Sequence, residues 1–225
     1  MQDRRQFAAT SAAFVLGTAS FNAATRFQTP ESKIPAELVG KFIGKAHGDL
    51  DTVKQLLTDE PALVNASWDW GKGDWETGLN AASHVGRRDI AELLLEHGAR
   101  IDLPAAVMLG MKPVVEEILN AAPKMIKVSG AHEIPLLSHA IFGGRKADDV
   151  FALLIAKGAD VNGASKMKMT PLMAAASKGR LSQLKTLLDR GADPRVKDTK
   201  GRSALDVAKK RKHDKCAKAL QKSLG

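Results

Sequence analysis

The most regular alternation of apolar and polar positions lies in the C-terminal half of the chain. Leu184, Leu187 and Leu188 recur at helical spacing among polar neighbours, which predicts an amphipathic helix with one apolar stripe. Gly191 follows that stripe directly. Because glycine adopts the left-handed conformation that ends helices at little cost, we expect the helix to stop there.

A second helix is predicted immediately before this one. Thr170 can cap its first turn with the hydroxyl, and Pro171 would occupy the first helical position, where a missing N–H costs nothing. Ala174 and Ala175 are small enough to let a neighbouring helix pack closely. The segment from Met169 to Gly201 therefore reads as one turn followed by two helices.

The same unit recurs along the chain at a fixed spacing. Leu172 and Leu205 lie 33 residues apart, and so do Gly158 and Gly191. The phrase LLIAKGADVN, which begins at Leu153, matches LLDRGADPR in the next unit, and LLLEHGARID is a third copy upstream. A period of this length predicts a solenoid, in which stacked units bury a common core.

These units resemble the ankyrin repeat, on the Thr-Pro-Leu opening at Thr170, the Gly-Ala-Asp phrases and the 33-residue period. The resemblance covers residues 35–223 and implies an all-α solenoid of about six helix-turn-helix units joined by short hairpin loops. By the same resemblance, the concave surface is expected to bind another protein without catalysis. The combination with a signal peptide is similar to bacterial exported ankyrin-repeat proteins.

Several units depart from the family pattern. The first is predicted over Glu37 to Asp59, and the second opens at Thr77 with glycine in place of the usual proline. The third, from Leu103, follows so closely that its preceding hairpin must be reduced. The fourth carries about three extra residues around Gly144-Arg145-Lys146 between its helices. The sixth has a highly polar second helix, as expected of a capping unit.

The hairpin between the first two units is predicted to be overlong. From the turn glycine to the next opening leucine there are 31 residues in the first unit, Gly48 to Leu79, and 26 in the fifth. Four of the five extra residues fall in the stretch SWDWGKGDWETG, which contains all three tryptophans of the chain. Insertions in solenoids map to loops, which often bind partners.

Two interpretations of this tryptophan hairpin remain open. In the first, it is an arm with aromatic anchors and an acidic rim that binds a partner. In the second, tryptophans fold over the gap left by the reduced hairpin that follows. We expect Trp75 to pack beside the helix start, and Trp68 and Trp70, which have the same parity, to share an outward face. The residues predicted to contact a partner are Trp68, Asp69, Trp70, Trp75 and Glu76, with Asn80, His84, His139 and Met173 on the concave face.

Charge is placed unevenly along the chain. The net charge is +9, but residues 166–225 contain 17 Lys and Arg against five Asp and Glu, a net of +12. This end suits either an acidic partner or simple solvation. Nucleic-acid binding is not expected, because no aromatic residue follows Phe151 to provide a stacking platform.

The first residues have the layout of an export signal. Arg4 and Arg5 precede Phe7, as in twin-arginine signals, and an uncharged, mildly apolar run extends to Ala24. We expect a signal peptide over residues 1–24 and a linker over 25–34, which places the protein in the periplasm or outside the cell. A frayed N-terminal helix on a cytoplasmic protein is the alternative. No later run is long and apolar enough to span a bilayer.

No catalytic or metal-binding motif is apparent. The six histidines have no zinc-site spacing, and the single cysteine, Cys216, excludes an internal disulfide. His47, His84 and His97 lie near helix ends or turn glycines, which favours packing or capping. The sequence therefore predicts a monomeric, non-catalytic binding scaffold without cofactor or metal. The alternatives are a carbohydrate or small-ligand module built on Trp68 and Trp70, or an accessory that protects a co-exported enzyme.

Overall fold

The computed structural model describes residues 34–225. The predicted export signal, with Arg4, Arg5 and Phe7, and all but the last residue of the predicted linker lie outside this range. The described residues form six consecutive pairs of antiparallel helices. The twelve helices are α1 (Ala36–Ala46), α2 (Leu50–Asp59), α3 (Gly78–Val85), α4 (Arg88–Glu96), α5 (Leu103–Leu109), α6 (Lys112–Ala121), α7 (Leu136–Phe142), α8 (Asp148–Ala156), α9 (Pro171–Lys178), α10 (Leu181–Asp189), α11 (Ala204–Lys210) and α12 (Asp214–Leu224).

The odd-numbered helices form the inner layer of the stack. Each packs on the next, from α1 through α3, α5, α7 and α9 to α11, and each also packs on the even-numbered helix of its own pair. Small residues such as Ala81, Ala106, Ala140 and Ala175 lie fully buried on these inner helices. They allow close approach between neighbouring helices, so that each unit completes the core of the next. The prediction of an all-α solenoid is confirmed.

The fifth unit forms as its sequence predicts. The Thr170 hydroxyl accepts a hydrogen bond from the Met173 N–H at 3.3 Å, and Pro171 occupies the first position of α9. Leu184 and Leu187 of α10 are fully buried. The predicted cap and the predicted burial of the apolar stripe are therefore both present in this unit. Both could be predicted from residues close together in the sequence.

The loops between units differ in length, and this difference shapes one side of the molecule. Between α2 and α3, strands β1 (Ser67–Asp69) and β2 (Trp75–Thr77) pair as an antiparallel hairpin. The connection between α4 and α5, residues 97–102, has no strands. The lengthened first hairpin and the reduced second one are thus present, as predicted.

The first hairpin bridges the gap over the reduced second connection. At its tip, Asp74 Oδ1 accepts a hydrogen bond of 2.8 Å from the backbone N–H of His132, which lies in a 3-10 turn between α6 and α7. Residues far apart in the sequence are therefore brought side by side.

None of the helices within residues 34–225 combines the length and the apolar character that a membrane span requires.

Candidate functional site

The register of the first hairpin decides which side chains face the protein. Trp68 pairs with Glu76, and Asp69 pairs with Trp75. Residues directly opposite each other share a face of an antiparallel pair, and alternate residues point to opposite faces. Trp68, Trp70 and Glu76 consequently share the inner face, whereas Asp69 and Trp75 share the outer one.

The three tryptophans occupy different positions from those predicted. Trp75 is 59% exposed, so the expectation that it packs is wrong, because strand alternation turns it outward. Trp68 is half-buried, and its ring lies against α1, 3.4 Å from the position of a β-carbon on Gly40. Trp70 is 48% exposed and meets Trp68 edge to face at 6.4 Å, so these two do share a face, but it is the inner one.

Glu76 lies at the centre of this inner face and is fully buried. Its Oε2 accepts a hydrogen bond of 2.7 Å from the indole Nε1 of Trp70. Its Oε1 has no hydrogen-bond partner among the described residues. Burial raises the pKa of Glu76 above its ordinary value, since desolvation disfavours the carboxylate. The prediction that Glu76 contacts a partner is wrong, because the side chain has no exposed surface.

Three imidazoles converge on the free carboxylate oxygen. The Nε2 atoms of His47, His84 and His132 lie 3.6, 3.5 and 3.6 Å from Glu76 Oε1. The His84 ring is 4.8 Å from that of His47 and 5.2 Å from that of His132, measured between centroids. We call these four residues the His–Glu cluster. One ligand-capable atom from each lies within 4.8 Å of every other.

Outer contacts orient two of the three imidazoles. His47 Nδ1 lies 3.1 Å from the carbonyl oxygen of Ile43, and His132 Nδ1 lies 2.7 Å from Asp74 Oδ2. Because both partners accept hydrogen bonds, Nδ1 carries a proton in both rings and Nε2 is the nitrogen that faces Glu76. His84 differs, since its Nδ1 has no partner in the described part of the chain. Burial lowers the pKa of His84 to about 3, so this ring is neutral at physiological pH.

Asp74 holds His132 from two sides. Burial alone would raise its pKa, but hydrogen bonds from the His132 backbone N–H, the Lys166 ammonium and the His132 ring lower the pKa of Asp74 to about 2. Lys166 Nζ lies 3.0 Å from Asp74 Oδ2. Asp74 is therefore an ionised acceptor that fixes the position of the His132 ring.

The backbone at His132 adopts a conformation that is uncommon for residues other than glycine. Its φ is 57° and its ψ is 25°, in the left-handed region. The conformation is held by the bond from the His132 N–H to Asp74 and by the bond from the Lys166 N–H to the His132 carbonyl, which is 2.9 Å long. Backbone strain of this kind concentrates at functional sites, where surrounding contacts enforce it.

The His–Glu cluster was not predicted from the sequence. Its members come from the end of α1, from β2, from α3 and from the turn before α7. One signal was present, since His47 and His84 lie just before the turn glycines of consecutive units, and equivalent positions in a solenoid are neighbours. The capping role predicted for His47 is confirmed by its bond to Ile43, but the ring also presents Nε2 to Glu76.

Other residues predicted to face a partner are buried or engaged within the protein. His139 and Met173 are 0% and 2% exposed, because α7 and α9 are covered on both sides by neighbouring inner helices. His84 is 8% exposed and belongs to the cluster. The prediction of exposed positions is wrong for these three. Asn80 caps α3 by accepting from the Thr77 N–H at 3.3 Å and also donates to Asp102.

A groove of about 460 Å³ runs beside the first hairpin, above the reduced second connection. Trp75 forms one wall, and Asp69 lies on the same outer face of the hairpin. The apolar part of the lining is made by Trp75, Leu103, Pro104, Met125 and Val128, and the charged part by Lys72, Asp74, Asp102, Glu133 and Lys166. Trp75 of the groove and Glu76 of the His–Glu cluster thus lie on opposite faces of the hairpin, and Asp74 at its tip contacts both the groove and His132.

The geometry defines a helical-repeat solenoid, and comparison with known proteins gives its family. A family model described as ankyrin repeats matches residues 103–198 and 137–225, which together span more than half of the chain. The chain belongs to the ankyrin-repeat family. Proteins of this family typically serve as non-catalytic interaction domains, so a role in protein–protein interaction follows in general terms.

Curated relatives come from several kinds of organism. The chain is 30% identical over 185 residues to the ankyrin repeat protein nuc-2 of Neurospora crassa, a match that covers 77% of this chain and 17% of that protein. It is 37% identical over 109 residues to an ankyrin repeat-containing protein of Treponema pallidum, covering 48% of this chain and 36% of the relative. The chain therefore spans well under two thirds of the length of these relatives.

Proposed function

We propose that this protein is a non-catalytic scaffold that binds a partner protein through the outer face of its first hairpin and the groove beside it. The observation that carries the proposal is Trp75, a large aromatic side chain that is 59% exposed on a rigid hairpin. Aromatic residues, and tryptophan in particular, are enriched at protein interfaces and among their hot spots.

The composition of the groove indicates the kind of segment that would fit. Its apolar wall, formed by Trp75, Leu103 and Pro104, suits a bulky apolar side chain of the partner. Lys72 at the same groove offers an ammonium group for an adjacent carbonyl oxygen, whereas Lys166 is already paired with Asp74. We therefore propose an extended partner segment with an apolar anchor flanked by polar residues.

The carbohydrate or small-ligand alternative has less support. A stacking platform needs free ring faces, but the Trp68 ring lies on α1 against Gly40. Trp70 uses its indole N–H for Glu76 and so has no donor left for a sugar hydroxyl. An accessory of a co-exported enzyme is a special case of protein binding and would use the same surface.

The basic C-terminal end supports a second contact with an acidic partner surface. Of its 17 Lys and Arg residues, only three form ion pairs within the described residues, namely Lys166, Arg180 and Arg202. The other Lys and Arg residues of this end form no ion pair in the described part of the chain, so their charge is available to a partner. Such a surface would accelerate association with an acidic partner, and the effect would weaken as ionic strength rises.

Trp75→Ala is expected to weaken partner binding at least tenfold, because it removes the apolar wall of the groove. Partners recovered by the wild-type chain from an extract of the source organism would be purified, and their affinities for both forms compared by calorimetry. Met167→Ala is the matched control, since Met167 is a large apolar side chain that is 49% exposed and does not line this groove. Equal affinity of Trp75→Ala and Met167→Ala for every recovered partner would exclude this surface.

We also propose that the protein is exported by a twin-arginine route. The double substitution Arg4→Lys/Arg5→Lys is expected to retain it in the cytoplasm, because that route reads the paired guanidinium groups. Arg26→Lys is the control, since Arg26 also precedes a phenylalanine but lies beyond the apolar run. Cell fractionation and immunoblotting measure the distribution. Unchanged export of the double variant would contradict the proposal.

A further inference from the structure

We propose that the His–Glu cluster binds one divalent transition-metal ion, Zn²⁺ by its chemistry, with His47, Glu76, His84 and His132 as its four ligands. The proposal concerns the inner face of the first hairpin and does not depend on what binds the outer face.

The distances fit a coordination shell better than a hydrogen-bond network. Hydrogen bonds between nitrogen and oxygen span about 2.7–3.2 Å. The three Nε2 atoms lie 3.5–3.6 Å from Glu76 Oε1. Zinc–nitrogen and zinc–oxygen bonds of about 2.0–2.1 Å, arranged tetrahedrally, place neighbouring ligand atoms about 3.4 Å apart. The four ligand atoms lie within 4.8 Å of one another, so an ion among them would draw the imidazole nitrogens toward a common centre.

The burial of Glu76 favours binding of a cation beside its carboxylate. The side chain is fully buried, and its Oε1 has no hydrogen-bond partner among the described residues. A buried carboxylate with an unpaired oxygen is unfavourable unless a cation or a proton neutralises it. A divalent ion bonded to Oε1 would supply the missing interaction, while Trp70 continues to donate to Oε2 at 2.7 Å.

The outer contacts are those that metal sites use to orient their ligands. Metal-binding histidines usually donate their second N–H to a carboxylate or a backbone carbonyl. Asp74 receives this bond from His132, and the Ile43 carbonyl receives it from His47. Both rings consequently direct Nε2 toward Glu76, and a ring with its proton on Nδ1 alone is the form that binds a metal through Nε2.

The donor set selects the class of ion. Three imidazoles and one carboxylate disfavour Ca²⁺ and Mg²⁺, which prefer all-oxygen sites. Imidazole nitrogens suit Zn²⁺, Cu²⁺ and Ni²⁺, and a tetrahedral arrangement favours Zn²⁺. Four protein ligands close the coordination shell, as in structural rather than catalytic zinc sites.

The location indicates what the ion would do. The ligands come from the first unit, the first hairpin, the second unit and the hairpin before the fourth unit. A bound ion would link the long first hairpin to the first and second units. It would also link this hairpin, across the reduced second connection, to the hairpin before the fourth unit. It would therefore also hold in place the strand that carries Trp75.

The first experiment measures binding by the full, tag-free chain. Protein stripped with a chelator is titrated with ZnSO₄ against a chromophoric competitor, and the expected result is one Zn²⁺ per chain with submicromolar affinity. Co²⁺ in place of Zn²⁺ is expected to give the visible absorption of tetrahedral cobalt. Zinc should also raise the melting temperature.

The matched pair His47→Gln and His97→Gln identifies the ligands. Both histidines bond through Nδ1 to the carbonyl four residues earlier at a helix end, but only His47 presents Nε2 to Glu76. His47→Gln is expected to weaken Zn²⁺ binding about 100-fold or more, and His97→Gln to leave it unchanged. His132→Gln, at another partly exposed ligand, should match His47→Gln. Circular dichroism checks that each variant is folded.

Asp74→Asn tests a positioning residue. It retains the size of the side chain but weakens the acceptor that orients His132, and loss of such an outer contact typically costs about 10–100-fold in metal affinity. A shifted Co²⁺ absorption would distinguish altered coordination from a general loss of stability. Absence of stoichiometric Zn²⁺ binding by the wild type, or equal affinity in His47→Gln, His132→Gln and His97→Gln, would overturn the proposal. The cluster would then be a network in which Glu76 shares a proton with its histidines.

Discussion

Gly110→Ala is expected to lower the free energy of unfolding by about 3 kcal/mol or more. Gly110 follows α5 with a φ of 72°, in the left-handed region that disfavours alanine. A β-carbon at this position would overlap the carbonyl oxygen of Lys146 and lie 2.7 Å from its carbonyl carbon. The obstacle is backbone, so it cannot rotate away as the end of a long side chain would.

Gly98→Ala separates the cost of the left-handed backbone conformation from the cost of the steric overlap with Lys146. Gly98 also has a left-handed φ, of 88°, but a β-carbon there would have nothing within 4 Å. Gly98→Ala should therefore lower the free energy of unfolding by about 1 kcal/mol, which is the cost of placing alanine in a left-handed conformation. Urea unfolding followed by far-UV circular dichroism measures both variants. Equal losses would show that the contact between the end of α5 and the insertion in the fourth unit is unimportant.

Acidification from pH 7.0 to pH 4.5 is expected to remove roughly 3 kcal/mol of stability through His139 alone. His139 is fully buried on α7, and burial lowers its pKa to about 3 from 6.5. Between these values the unfolded chain binds a proton that the folded chain excludes. The contribution of this residue is therefore complete above pH 6.5 and declines as the pH falls, by about 1.4 kcal/mol per unit.

His139→Leu should flatten this pH dependence. Neither ring nitrogen of His139 has a hydrogen-bond partner among the described residues, so replacement by an apolar side chain leaves no new unpaired group and is tolerated at pH 7. The free energy of unfolding is measured in urea at pH 7.0 and at pH 4.5 for both proteins. The decrease between the two pH values should be roughly 3 kcal/mol smaller in the variant than in the wild type. His97→Gln controls for loss of an exposed histidine. An identical decline in the wild type and His139→Leu would refute the argument.

Much of the fold was predictable because its signals are local. The cap at Thr170 and the apolar stripe of Leu184 and Leu187 depend on residues a few positions apart, and both form as expected. The unequal hairpins were found by counting residues between equivalent positions. Counting could establish that the first hairpin is long, but not which of its faces is covered.

The orientation of the tryptophan hairpin could not be predicted from the sequence. The sequence established that Trp68 and Trp70 share a parity, and they do share a face. Which face lies inward is decided by the register of β1 and β2 and by the surface of α1, where Gly40 leaves room for the Trp68 ring. With the inner face fixed, alternation turns Trp75 outward and buries Glu76.

The sequence by itself determined the repeat, the helical units and the unequal lengths of the loops, since period, capping and apolar spacing act within one unit. Only the tertiary structure decided that His47, Glu76, His84 and His132 meet. They belong to four segments, and their approach depends on the stacking of consecutive units and on the first hairpin crossing a reduced neighbour to reach His132. His47 and His84 each had a local explanation near a turn glycine, and the proximity of the four residues depends on distances that no local pattern encodes.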